Sequence, residues 1–239
     1  MGKNIIEMVA EWKDMQIVAG VDQVLVEDWK RFPVFTTFGE VNVNSDVILD
    51  FSHHTLAPEL LNYLEKTRIP AVICTTGLDE AIVKRIEKLS TSVPILRSSN
   101  MSLGINLLLG LVKKAASVLH ETFDIEIIEK HHNRKVDAPS GTALMIAEAM
   151  NAELENCKTF VYGRHGKDAK RQPKEIGIHA VRGGTIVGEH SVIFAGIDEM
   201  IEIRHTAASR KVFGAGAIKA ARFLVSQKPG LYTMNDVLK

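Results

Sequence analysis

Two hydrophobic rhythms divide this chain. In the first hundred residues, short unbroken apolar runs alternate with segments whose apolar positions recur every three or four residues. The runs Met15–Asp22, Asp46–Phe51 and Ala71–Thr75 predict strands, and Pro94–Leu96 a shorter one. Ala57–Thr67 and Asp79–Leu89 predict the helices between them. Strands that are apolar throughout and separated by helices indicate a parallel sheet covered on both faces, the doubly wound α/β arrangement.

From about Met101 the rhythm changes. Gly104–Glu121 predicts a long helix, Asp124–Ile128 a strand, and Ser140–Leu154 a second helix. Alternating apolar and polar runs follow at 175–181, 185–194 and 200–206, punctuated by Arg182-Gly183-Gly184 and Ala195-Gly196-Ile197-Asp198. That alternation, broken by Gly-rich turns, predicts an antiparallel meander that is half buried or used as an interface. Ala215–Val225 predicts a last helix in the style of the first half. Two domains are expected, with the C-terminal tail packing back on the first.

Composition narrows the function classes. The 239 residues suffice for a real core, and 46% hydrophobic with 24% charged residues is ordinary globular usage. Lys and Arg (29) balance Asp and Glu (29), so no basic excess points to nucleic acid or a membrane surface. Any anion recognition must be local. Cys74 and Cys157 lie far apart and in no Cys-x-x-Cys, which argues against a disulfide framework or zinc site. No segment has the apolar length of a membrane span, and Glu7, Glu11, Lys13 and Asp14 interrupt any signal-peptide pattern. The expected setting is the cytoplasm.

The densest chemistry lies in Glu129–Thr142, which packs His131, His132, Arg134 and Lys135 just ahead of Ser140-Gly141-Thr142 at a helix start. Free amides at a capped helix N-terminus, beside cations, hold a carboxylate. Histidine in the same place moves a proton near neutral pH. A metal site is not expected, because no acidic or Cys residue accompanies the histidines at ligand spacing. Cys74-Thr75-Thr76-Gly77 and Ser98-Ser99-Asn100-Met101 follow apolar strands, where open α/β sheets bind ligands, although each is equally a helix cap or loop. Gly2 and Asp22 stand about 20 residues apart, as the turn glycine and ribose-binding acid of a dinucleotide unit do; an ordinary strand-ending Asp is the competing reading. His53-His54 reads as loop, and His120, His165, His179, His190 and His205 as structural or solvated. Arg182 reads as part of a turn whose guanidinium can form ion pairs.

Taken together these residues resemble the dihydrodipicolinate reductase family, along nearly the whole chain. The most specific stretch is His131–Ala143. It is supported by Asp50-Phe51-Ser52, Thr75-Thr76-Gly77, Asn100-Met101-Ser102 with Gly104 and Asn106, and Val187-Gly188-Glu189-His190. The resemblance implies a doubly wound (Rossmann-like) dinucleotide-binding domain at 1–102 and 213–239. An α+β substrate and oligomerisation domain with an open mixed sheet would fill 103–212 and form a homotetramer. It implies NADH- or NADPH-dependent reduction of 4-hydroxy-tetrahydrodipicolinate, a small dicarboxylate, on the diaminopimelate route to lysine. His131 matches the proton donor/acceptor and Lys135 a second proton donor; His132, Gly141 and Thr142, with Ser140 beside them, match substrate contacts. Gly2, Cys74, Thr75, Thr76 and Ser98 through Met101 match the cofactor-lining backbone, and Asp22 the acid at the adenosine ribose, with Lys30 and Arg31 placed to meet a 2′-phosphate.

The chain departs from the family pattern at two places. Cys74 stands where the family often has Gly, which would crowd the cofactor. Of the opening strand and G-x-x-G-x-M-G turn, Met1-Gly2 alone remains. The doubly wound sheet is therefore expected to miss its first, central strand, and an upstream in-frame extension encoding it is expected. The missing turn also leaves an alternative: a non-catalytic relative that binds a small dicarboxylate or a partner.

Overall fold

The computed structural model describes residues 1–24 and 31–239. The chain forms two compact units, one of residues 1–103 with 211–239 and one of residues 104–210.

The first unit is built on parallel strands. In chain order it holds α1 (Gly2–Val9), β1 (Gly20–Val21), β2 (Val34–Phe35), β3 (Ile48–Asp50), α2 (Ala57–Thr67), β4 (Ala71–Ile73), α3 (Glu80–Ser90) and β5 (Pro94–Arg97). Strands β3, β4 and β5 pair in parallel, with full burial along β4, as its Ala-Val-Ile run requires. Helices cover both faces. Leu60, Leu61, Leu64, Ile86 and Leu89 pack from α2 and α3 on one side.

Among the described residues the parallel sheet is in two pieces. β1 pairs with β2 alone, and β3 forms the edge of a separate four-stranded sheet. The run Met15–Asp22 yields a strand only at its last apolar pair, because an isolated ribbon has no neighbouring ladder to extend it. Parallel strands covered by helices are the expected doubly wound α/β arrangement.

The second unit contains α4 (Leu103–Leu119, starting at the junction), β6 (Asp124–His131), α5 (Gly141–Glu153), β7 (Thr159–Tyr162), β8 (Glu175–Arg182), β9 (Gly188–Ala195) and β10 (Met200–Ala207). The order is β10-β9-β6-β8-β7, with β6 antiparallel to β9 and parallel to β8. The expected meander is thus corrected: β8 and β9 are not neighbours, because β6 lies between them. Every second residue of β6 is buried at Ile125, Ile127 and Glu129, and its two apolar positions align with Ile176 and Ile178 on β8 and with Phe194 and Val192 on β9. A strand apolar on its core side gains most at the centre, where both edges are paired.

The chain then returns to the first unit through α6 (Lys211–Leu224), β11 (Gly230–Tyr232) and α7 (Met234–Leu238). β11 adds a parallel edge to β5, and Ile218 of α6 joins Ile5 and Val9 of α1 in a small core. α6 crosses the chain so closely that a Cβ on Gly216 would stand 1.7 Å from the carbonyl oxygen of Met101. The Gly216→Ala variant should therefore lose about 1–3 kcal/mol through forced separation of α6 from that backbone. Gly110→Ala, where nothing lies within 4 Å, should be neutral or gain up to about 1 kcal/mol. Thermal or denaturant unfolding of the two variants checks the contrast.

Candidate active site

The core-facing column of β6 changes character along its length. After Ile125 and Ile127 come Glu129 and His131, and the neighbouring strands change in step, with His190 opposite Glu129 and Arg182 opposite His131. The register that builds the core thus delivers polar side chains to one end of the sheet, where α5 begins. Ser140 caps α5: its hydroxyl accepts from the Ala143 amide at 3.1 Å, and its extended backbone turns the chain into the helix.

Glu129 is fully buried and accepts four hydrogen bonds. Arg182 grips it with both terminal nitrogens, Nη1 to Oε2 at 2.8 Å and Nη2 to Oε1 at 2.7 Å. His131 Nδ1 contacts Oε2 at 2.6 Å, and the Ser140 amide donates to Oε1 at 2.9 Å. Burial pushes this carboxyl up; the bonds from Arg182, His131 and Ser140 outweigh it and hold it below the ordinary carboxylate value. Arg182 Nη2 also donates to the Asp137 carbonyl at 2.7 Å, tying the segment 132–139 to the same carboxylate.

His190 lies behind this group. Its Nε2 is 2.9 Å from the Ser140 hydroxyl, and its ring meets that of His131 edge-on at 5.2 Å. Burial, then the charge of His131, brings His190 down to about 4, so it is neutral at physiological pH. His132 is also lowered, by desolvation and then by the charges of Arg134, Arg210, His131 and Lys135. Lys135 is half-buried and donates to the exposed Asp137 carboxylate at 2.8 Å. His131, His132, Lys135 and Ser140 therefore share one neighbourhood, with Gly141 and Thr142 opening α5 beside them. The arrangement can hold a small anion on cations and helix amides and can exchange protons with it.

The other site residues read from the sequence lie in the first unit. At the carboxyl ends of β3 and β4, the buried Asp50 carboxylate accepts from the Thr75 hydroxyl at 2.7 Å and from the Ser52 amide at 3.0 Å, pinning two loops together. Thr76 is exposed, and Gly77 takes φ +74° in the turn that follows. Ser98 folds onto Asn100 through its hydroxyl, with Ser99 exposed and Met101 buried. Asp22 is exposed and accepts from the Val24 amide at 3.0 Å. The Cys74 thiol turns back toward the Val72 carbonyl and packs with Leu96, Met101 and Ala217. Met1 gives α1 no side-chain cap, and the first turn of α1 carries no acid. Small, polar loops at the carboxyl ends of parallel strands fit a dinucleotide. Lys30 lies outside the described residues; among the described residues no group of three or more His, Cys, Asp or Glu could hold a metal.

The structure adds to the sequence expectations at three residues. Arg182 ends β8, and its guanidinium makes the ion pair with Glu129 that the sequence allowed it; His190 is a buried neighbour of the site; and Glu129, to which the sequence assigns no role, joins them. The available signal was parity: Glu129 shares the core-facing register of Ile125 and Ile127, where an unpaired acid would not be tolerated.

The sequence profile described as Dihydrodipicolinate reductase, N-terminus, matches residues 1–101, and that described as Dihydrodipicolinate reductase, C-terminus, matches residues 104–238. The chain belongs to the dihydrodipicolinate reductase family. A 4-hydroxy-tetrahydrodipicolinate reductase from Caldanaerobacter subterraneus subsp. tengcongensis is 56% identical over 239 residues, spanning 100% of this chain and 94% of the relative. One from Clostridium botulinum is 49% identical with the same coverage. The solved dipicolinate-bound dihydrodipicolinate reductase from Paenisporosarcina sp. TG-14 has a TM-score of 0.80 at 23% identity, covering 98% of this chain and 94% of that one, which shows a shared fold. Reductases that match along the whole chain leave the non-catalytic alternative without support.

The depressed His190 has a measurable consequence for this reductase-family chain. Its folded value of about 4 lies below the unfolded 6.5, so the unfolded chain takes up the proton first. The stability tied to a neutral His190 is complete above about pH 6.5 and is lost as pH falls toward 4. By pH 5 the loss should be about 2 kcal/mol. Denaturant unfolding at pH 7 and pH 5 should show His190→Asn losing less stability than the wild type over that interval; equal losses would contradict the assignment.

Proposed function

We propose that this protein reduces 4-hydroxy-tetrahydrodipicolinate to tetrahydrodipicolinate with a nicotinamide cofactor, in the diaminopimelate route to lysine. The observation that carries the reading is the meeting of His131, Lys135 and the Ser140-capped start of α5 in one cationic neighbourhood. The names of the full-length relatives support it, and so does the dipicolinate found with the solved neighbour.

When bound, the cofactor supplies hydride to the substrate ring. Asp22 would take its ribose hydroxyl, and the amides near Gly2 its phosphates. The loops carrying Cys74, Thr75, Thr76 and Ser98–Met101 would line the rest. The proteinaceous groups manage charge and protons. The α5 amides at Gly141 and Thr142, with Ser140 and His132, hold the substrate carboxylates. The Lys135 ammonium offers both charge and a proton to the anion that develops on reduction, and His131 exchanges a proton with solvent. We place the cofactor site in residues 1–102 and 213–239, and substrate binding and homotetramer assembly in 103–212, within the cytoplasm.

Oxidation of NADH or NADPH by the purified full chain on freshly generated substrate tests the reading directly. His131→Gln and Lys135→Ala should each lower turnover by about 10²-fold or more, the range of acid–base groups. Wild-type turnover in either variant would remove that residue from the chemistry. Both cofactors should serve, and Asp22→Ala should raise the KM for NADH more than that for NADPH. An equal change in both would take Asp22 away from the ribose.

A further inference from the structure

We infer that Glu129 is a positioning residue that holds neutral His131 as the tautomer protonated on Nδ1, leaving Nε2 as the nitrogen that exchanges protons with the site. This rests on the proposed proton-transfer role of His131, and it follows from counting donors. The Ser140 amide and the Arg182 guanidinium nitrogens can only donate, and they supply three of the four bonds to Glu129. The guanidinium bonded to both oxygens, with the Ser140 amide, keeps Glu129 ionised and its carboxyl below the ordinary value, so it has no proton to give. The fourth contact, 2.6 Å from His131 Nδ1 to Oε2, must then be an N–H of the imidazole.

The opposite edge of the ring faces a position left clear. A Cβ on Gly188 would come within 3.1 Å of His131 Nε2, so glycine there keeps that nitrogen unobstructed. The charged and titratable groups around the ring are Glu129 on β6, Arg182 on β8, His190 on β9, and His132, Lys135 and Asp137 in the following segment. None of the others bonds Nδ1. In the exchange, the Nε2–H bond breaks, its electron pair stays on Nε2, and the proton passes to substrate or water; the Nδ1–H remains on Glu129 throughout. The same carboxylate fixes the Ser140 amide, so one buried group aligns the proton carrier with the start of the anion-holding helix.

The test reads the tautomer in the wild-type full chain. With 15N-labelled histidine, long-range 1H–15N spectra assigned by the loss of signals in His131→Gln should show a protonated Nδ1 and a bare Nε2 for neutral His131. The reverse pattern, or a mixture of both tautomers, would overturn the inference. The double variant E129Q/R182Q removes the buried carboxylate and its half-buried partner charge together. Its residue-129 oxygen is claimed by the Ser140 amide, so the new amide NH₂ faces His131 Nδ1 and should flip the tautomer. Turnover should then fall by about 10²-fold or more, with the substrate KM changed less than about threefold. A flipped tautomer with wild-type turnover would equally overturn it. If the wild type oxidises neither NADH nor NADPH on this substrate, the functional reading fails, while the spectrum still decides the tautomer.

Discussion

A charge without water has to be met by the protein, and the fully buried Glu129 carboxylate shows how completely that can be done. Two guanidinium nitrogens, an imidazole and a main-chain amide surround it. Such a pair contributes little net stability, because desolvation consumes most of the Coulombic gain. Its presence is explained by what it organises. Through Arg182 it holds β8 and the carbonyl of Asp137, through Ser140 the start of α5, and through Nδ1 the ring of His131. Take it away and three elements lose a common reference point, with the half-buried guanidinium left uncompensated.

Around that fixed point the charges are graded. Burial and neighbouring cations keep His190 neutral and lower His132, while Lys135 stands half-buried with an exposed partner in Asp137. A substrate carboxylate arriving here would meet cations and helix amides already in place, so little reorganisation would oppose its binding. The outer face of the same sheet uses a different device. Glu126 lies across β8, where Gly177 has no side chain to block it, and accepts from Arg164, Arg171 and His179. Acids at alternating parity on β6 thus serve opposite faces: 126 secures the 163–174 connection and 129 the site.

Much of this was legible in the sequence. Helix α2 falls on its predicted residues, and α3, α5, β4, β5, β6, β8, β9 and β10 fall within a few, because continuous burial and helical spacing are local signals; the short β7 and β11 carry too little period to be read. The basic signature ahead of Ser140 announced its chemistry through residue types alone. What stayed hidden depended on pairing. The position of β6 between β8 and β9 is a choice among partners distant in sequence, and turn glycines at 183 and 184 suggested the wrong neighbours. Arg182 reads as a turn residue able to form ion pairs, and which acid it pairs with stayed hidden for the same reason: that partner lies 53 residues away. The pair β2, two residues long, leaves too short a period to detect.

The route of the chain has a consequence for how the protein is made. The first unit encloses its inner core only when α6 arrives, bringing Ala217, Ala220, Ala221 and Leu224 against Val72 and Leu96. Those residues are translated after all of β6–β10. On a ribosome, the middle of the chain can therefore close its own core while the opening hundred residues still wait for their final helix. The tight seat of Gly216 on the Met101 carbonyl is then among the last contacts made, a clasp fastened by a segment synthesised more than a hundred residues after the one it meets.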